Sequence, residues 1–204
     1  MPHPSWNESY ASGQLPWDTG KPESLLVEFV ASSGVKPGPT LEIGAGTGTN
    51  AIWMAERGFD VLGVDVSSIA VEQARAKMGA RPLPCRFEAL DFLAGTVPGG
   101  PFQFIFDRGC FHVFDEPDER QRFAARVVSI LAPGGLWLSL IGSTEGPAHE
   151  GPPRRSAADV IHAIEPVLEI VEFRSAEFHD HNAKAWFCLS RRRTTPAQAS
   201  SRRD

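Results

Sequence analysis

The chain has 204 residues, 42% hydrophobic and 22% charged, with a net charge of −5 at neutral pH. Those figures specify a soluble globular protein with room for one well-buried domain. They disfavour nucleic acid as the main partner, because neutralising phosphates takes a basic surface. No window reaches the roughly 20 apolar residues of a membrane span. The opening Met1-Pro2-His3-Pro4 has neither the basic start nor the apolar run of an export signal. Cys85, Cys110 and Cys188 form no CxxC pair and no metal-ligand spacing, so they read as reduced thiols of a cytoplasmic protein without a metal.

In chain order, Leu25-Leu26-Val27-Glu28-Phe29-Val30 predicts a helix ending before Gly34. A short apolar strand follows from Thr40 to Ile43, then a helix from Asn50 to Arg57 closed by Gly58. Val61 to Asp65 is a second strand, and Ile69, Ala70, Ala74 and Met78 line one face of the next helix. Cys85 to Leu90 and Phe102 to Phe106 are the third and fourth strands, the latter ending at Asp107. Asp115 and Pro117 suit a helix start, with Asp118 and Glu119 at the positive end of its dipole. Phe123, Val127, Ile130 and Leu131 form its buried stripe, and Pro133-Gly134-Gly135 stops it. Leu136 to Ile141 is a fifth strand, 142–155 a long loop, Ser156 to Ile164 a short helix, and Leu168 to Phe178 and Ala185 to Ser190 a closing pair of strands. Continuous apolar strands separated by helices predict an α/β fold, a mostly parallel sheet covered on both faces. The last two strands lack a helix between them, so one of them runs antiparallel. The tail from Thr194 to Asp204 is expected to be mobile.

The most informative stretch is Leu41-Glu42-Ile43-Gly44-Ala45-Gly46-Thr47-Gly48-Thr49-Asn50. Its alternating glycines let a strand-to-helix turn bend tightly and press against a ligand. A dinucleotide-binding turn reads G-x-G-x-x-G and aims a helix N-terminus at a pyrophosphate. Here Thr49 stands where that pattern wants glycine. The acid Glu42 would repel phosphates and suits the cationic end of S-adenosylmethionine. Ligands of open parallel sheets sit beyond the carboxyl ends of the strands, which makes the residues there candidates. Asp65, with Val66 beside it, can accept two hydrogen bonds from a ribose diol. Asp91 and Phe92 suit an adenine. Asp107-Arg108-Gly109-Cys110-Phe111-His112 lies where the reacting groups should meet.

At these positions the chain resembles the class I S-adenosylmethionine-dependent methyltransferases over about residues 24–190: Glu42-x-Gly44-x-Gly46-x-Gly48, Asp65 and Asp91 fall in that family's order and spacing. The resemblance implies a Rossmann-like, three-layer, seven-stranded sheet whose last strand is antiparallel. It implies Asp65 on the ribose, Asp91 near the adenine and the Gly44–Gly48 backbone under the methionyl part. A narrower resemblance lies in Trp6-Asn7-Glu8-Ser9-Tyr10 and Pro16-Trp17-Asp18-Thr19-Gly20-Lys21-Pro22-Glu23, which look like the leader of the thiopurine and thiol methyltransferase branch; tellurite-resistance methyltransferases have a similar lead-in. In that branch the segment, here residues 1–23, makes a lid over the cofactor. Trp17 offers an apolar face to a sulfonium or an aromatic substrate.

Methyl transfer from a sulfonium is an in-line displacement that needs alignment more than acid–base chemistry. Asp107 and His112 are the candidates for an acid–base or orienting role. Trp17, Arg108, Phe111 and His112 are candidates for contacting the acceptor, and His149, Arg154 and Arg155 in the long loop could select an acid. Cys110 as a covalent nucleophile is disfavoured, since direct transfer needs no enzyme intermediate. The expected protein is a methyltransferase, monomeric or weakly dimeric, for a small-molecule acceptor with sulfur nucleophiles favoured. A phenolic O-methyltransferase, a nicotinamide-dependent oxidoreductase and a non-catalytic adenosyl-binding module are the rival readings.

Overall fold

Seven strands form one sheet in the computed structural model, which describes residues 6–13, 15–32, 35–145, 153–178 and 183–193. They are β1 (Pro39–Ile43), β2 (Asp60–Asp65), β3 (Cys85–Ala89), β4 (Phe102–Arg108), β5 (Leu131–Gly142), β6 (Glu169–Phe178) and β7 (Ala183–Arg191). Their order is β3-β2-β1-β4-β5-β7-β6. β7 runs antiparallel to both its neighbours, and the other pairings are parallel. The helices are α1 (Trp6–Ser12), α2 (Ser24–Ser32), α3 (Thr49–Ala55), α4 (Ser68–Met78), α5 (Pro117–Ile130) and α6 (Ala157–Ile164), with a single 3-10 turn at Phe111–Val113.

The strands read as apolar runs because both faces of the sheet are covered. On β4, Phe104 and Phe106 turn to a cluster with Leu26, Phe29, Met54 and Phe187. Ile105 turns the other way, to Phe123, Val127, Trp137 and Ile164. The period of two does the sorting. It places Leu41 and Ile43 of β1 in the second cluster and hence Glu42 on the first face, beneath α3. Chain order reverses between β1 and β4, so a crevice opens at their carboxyl ends.

Three expectations are revised. Leu131 is the first residue of β5, paired with Phe102, and α5 ends at Ile130. The chain is already extended at Leu131 (φ −82°, ψ 134°), and Pro133 keeps Ala132, the residue before it, out of the helical region, so the helix does not resume. A register shift between Phe102 and Phe104 then absorbs the Pro133-Gly134-Gly135 run inside the strand. On α4 the buried face is Ala70, Val71 and Ala74, with Ile69 and Met78 only half-buried. The leader holds a helix, α1, that periodicity did not predict. Gly34, His149 and the 194–204 tail lie outside the described residues.

Phe123 is the hub of the second cluster. It is fully buried, with ring centroids of Phe92, Phe111, Phe114 and Trp137 at 4.7, 5.6, 5.6 and 5.7 Å. Phe123→Ala should therefore cost about 3–5 kcal/mol, read as a lower urea midpoint at unchanged slope. A loss below about 1 kcal/mol would mean that the neighbours collapse freely into the gap.

Candidate active site

The turn after β1 is built from glycines with positive φ, and its neighbours are packed against them. Gly46 (φ +53°) lies beneath the Tyr10 hydroxyl of α1, which would stand 2.9 Å from any Cβ there. Gly48 (φ +79°) would meet the Phe87 ring at 2.6 Å. The close approaches expected for a ligand are thus partly made by the protein itself: the leader from above and β3 from below.

Three acids surround this turn from neighbouring strands. Asp65, at the end of β2, is 7% exposed and accepts hydrogen bonds from the Gly46 and Ser67 amides, each at 2.9 Å. Burial raises its pKa, and those two bonds oppose the rise. Each carboxylate oxygen keeps a second lone pair. Ser67, not Asp65, caps α4, through its hydroxyl to the Ala70 amide at 3.2 Å. Glu42, on β1, is 2% exposed; its Oε1 accepts from Asn50 Nδ2 at 3.1 Å, and its Oε2 has no hydrogen-bond partner among the described residues. Burial pushes its pKa up to about 8. Asp107, on β4, is fully buried and accepts from the Phe111 amide at 3.0 Å and from Trp137 Nε1 at 2.9 Å. Burial lifts it to about 6.

The leader straps across the opening. Asn7 accepts from the Ser67 hydroxyl at 2.7 Å, and the Tyr10 carbonyl accepts from Gln73 at 3.2 Å. Asp18 accepts from the Thr47 hydroxyl at 2.5 Å, and Lys77 donates to both Thr47 and Thr49. Arg108 forms an ion pair with buried Glu23, donates to the Trp17 carbonyl at 3.1 Å and lies over the Phe178 ring at 4.7 Å. Trp17 meets Trp6 and Tyr10 edge-on at 6.0 and 6.3 Å. Strap, glycine turn and β4 end together border a narrow cleft with a cavity volume of about 70 Å³, lined among others by Tyr10, Trp17, Glu23, Glu42, Gly44 and Arg108. That is well short of the roughly 300–1,000 Å³ of small-molecule sites: with the strap in this position the glycine turn is largely covered.

Of the predicted site residues, Trp17, Glu42, Gly44, Gly46 and Arg108 line this cleft, and Asp65 borders it by its bond to Gly46. Gly48 starts α3 just behind. Val66 is exposed beside Asp65. Asp91 is exposed and spends one oxygen on the Leu93 and Ala94 amides, closing the turn after β3. Phe92 and Phe111 are buried in the Phe123 cluster. His112 is 5% exposed; its Nδ1 accepts from the Gly142 amide at 2.7 Å, and burial together with Arg155 and Arg108 lowers its pKa to about 3. Arg155 braces the loop start against the Phe114 carbonyl and Asp115. Cys110 sits against Gly44, and burial holds its thiol well above its ordinary pKa.

Glu23, Asn50, Thr47 and Lys77 were not singled out from sequence. Asn50, in the first turn of a helix eight residues beyond the strand acid, was the readable signal. The Glu23–Arg108 pair spans 85 residues and had none.

The family model for thiopurine S-methyltransferase matches residues 1–192. The chain is 35% identical over 138 residues to a probable thiol methyltransferase 2 of Arabidopsis thaliana, a match covering 67% of this chain and 60% of that protein, so the chain spans less than two thirds of that relative. It is 30% identical over 178 residues to thiocyanate methyltransferase 1 of Brassica oleracea, covering 86% and 76% of the two chains. Among solved structures, the Burkholderia thailandensis 1,6-didemethyltoxoflavin-N1-methyltransferase superposes with a TM-score of 0.73 at 17% identity, covering 93% of this chain and 86% of that one, a likeness of fold.

The His112 geometry carries a pH prediction. Its folded pKa of about 3 lies below the ordinary value of 6.5, so its contribution to stability is complete above pH 6.5 and drains away as pH falls toward 3. In His112→Gln, where an amide oxygen replaces Nδ1 as acceptor, that drain disappears. The stability gap between wild type and variant should narrow by roughly 1.4 kcal/mol per pH unit below pH 6.5, measured by urea denaturation across a pH series. A gap independent of pH would show that His112 ionises freely in the folded protein.

Proposed function

The chain belongs to the thiopurine S-methyltransferase family, and on that premise we propose that it transfers a methyl group from S-adenosylmethionine to a small soft nucleophile, a thiol or thiol-like anion. The family match over residues 1–192 carries the reading. The thiol and thiocyanate acceptors named for the Arabidopsis and Brassica relatives support the sulfur preference.

The residues fit the donor. Asp65 has lone pairs left for a ribose diol after binding two amides. The glycine turn presents bare backbone to the cleft. Glu42 offers an unpartnered carboxyl oxygen to a cation. When bound, S-adenosylmethionine supplies a methyl group activated by a sulfonium. The chain's part is to hold, align and dry: residues 6–13 and 15–23 cover the glycine turn as a lid, with Trp17 and Arg108 walling the acceptor side. Well-oriented reactants gain on the order of 7–11 kcal/mol from alignment alone.

The site's acid–base groups point to an acceptor that brings its own nucleophilicity. His112 is neutral, buried and engaged by Gly142. Both oxygens of Asp107 hold donors of the fold. On this reading His112 and Asp107 are positioning residues that shape the β4 turn. A thiol ionises partly near neutral pH and needs no base; an alcohol would.

Two outcomes are expected. With labelled donor, an acceptor panel of hydrosulfide, thiocyanate, an aromatic thiol and a phenol should place label on the sulfur acceptors; label on the phenol alone would overturn the sulfur preference. In Asp65→Ala, loss of charge-assisted hydrogen bonds worth roughly 1.5–3 kcal/mol each should weaken donor affinity at least tenfold by calorimetry. Unchanged affinity would remove Asp65 from the ribose.

A further inference from the structure

One group in the cleft has its hydrogen bonding half complete. Glu42 Oε1 is fixed by Asn50, whose own oxygen accepts from the Glu23 amide at 2.8 Å. Oε2 is withdrawn from water and has no partner among the described residues, in a side chain that lines the donor cleft. A buried charge with a bare oxygen is costly, and such a group neutralises itself unless a counter-charge arrives. We propose that Glu42 holds a proton in the ligand-free protein and surrenders it to solvent when the cationic end of the methyl donor enters the cleft, so that donor binding and proton release are one linked event. The inference rests on the donor reading above.

Around Glu42, burial and the acids of the neighbouring strands favour the neutral form, opposed by the donors of α3. Asn50 of α3 bonds to it and the nearby Ala51 amide favours its charged form, Asp65 of β2 and Asp107 of β4 add negative potential, and the Cys85 thiol of β3 is neutral. Across the cleft, Arg108 is paired with Glu23, and Lys77 is drawn toward Asp18 and the two threonines. Among the described residues no cation forms an ion pair with Glu42. A pKa pushed up to about 8 fits a protonated acid at neutral pH. Because the free protein then binds the extra proton, donor affinity rises with pH until the acid ionises unaided.

The test is calorimetric titration of the full chain with S-adenosylmethionine at pH 7, in phosphate and in Tris, whose ionisation heats differ widely. Wild type should release close to one proton per donor bound, and affinity should rise about tenfold per unit between pH 6 and 7. Glu42→Gln should bind with no proton release and no such slope, as should wild type with 5′-methylthioadenosine, which lacks both cations. Should the variant fail to fold, difference infrared spectroscopy of wild type decides: the carboxylic-acid carbonyl band must be present without ligand and vanish on donor binding. Donor binding without proton release, equal release by wild type and variant, or an unaltered band would overturn the inference while leaving the donor assignment standing. No binding heat at all in the folded wild type would sink both.

Discussion

Glu42, Asp65 and Asp107 stand on three adjacent strands, β1, β2 and β4, and each is withdrawn from water. Burying one carboxylate is costly and burying three around one turn is more so, so the local backbone is organised to answer them. The amides of Gly46, Ser67 and Phe111 point at carboxyl oxygens, and Trp137 adds its indole N–H. These bonds fix the glycine turn, which lines the cleft, together with the start of α4 and the turn after β4 beside it. The acids are thus architectural before they are functional. Glu42 Oε2 is the lone pair set the architecture leaves unanswered among the described residues.

The strap over the glycine turn is held differently. Its polar ties run to Ser67 and Gln73 of α4 and its cap, to Thr47 of the glycine turn and to Arg108 of β4. Such bonds are worth about 0.5–1.5 kcal/mol net, comparable to the roughly 1–2 kcal/mol lost in ordering a single residue's backbone. Polar ties alone do not fix the strap. The edge-on contacts of Trp17 with Trp6 and Tyr10 stiffen the strap itself, and Tyr10 packs over Gly46 of the turn. This division places the strap at the low-stability end of the fold, where a cover that admits a ligand has to lie.

Chemistry and architecture meet at β4. Asp107 and His112 would be the natural base of a general acid–base enzyme, yet both are consumed by backbone and indole donors. On the proposed reading this is economical: a sulfonium methyl and a soft anion react readily once aligned and dry, so the titratable groups are free to serve the fold.

The order of elements, the two covered faces and the antiparallel closure follow from short-range pattern: apolar runs, helix periods, glycines and prolines, each acting on its own few residues. The glycine turn and the strand-end acids were legible for the same reason. What the sequence left open is which way each candidate faces and what it touches. Phe92 and Phe111 sit among strand-end polar residues in the chain but pack on Phe123, more than ten residues onward. His112 is silenced by an amide thirty residues away, and Arg108 is paired with Glu23 across 85. Such partners are set by strand register and by the docking of the leader, which no local window contains. The sequence alone therefore determined the fold class, the turn and the acids; the tertiary structure decided which of those acids keeps a buried oxygen with no donor, because only packing brings distant donors to the oxygens of the others.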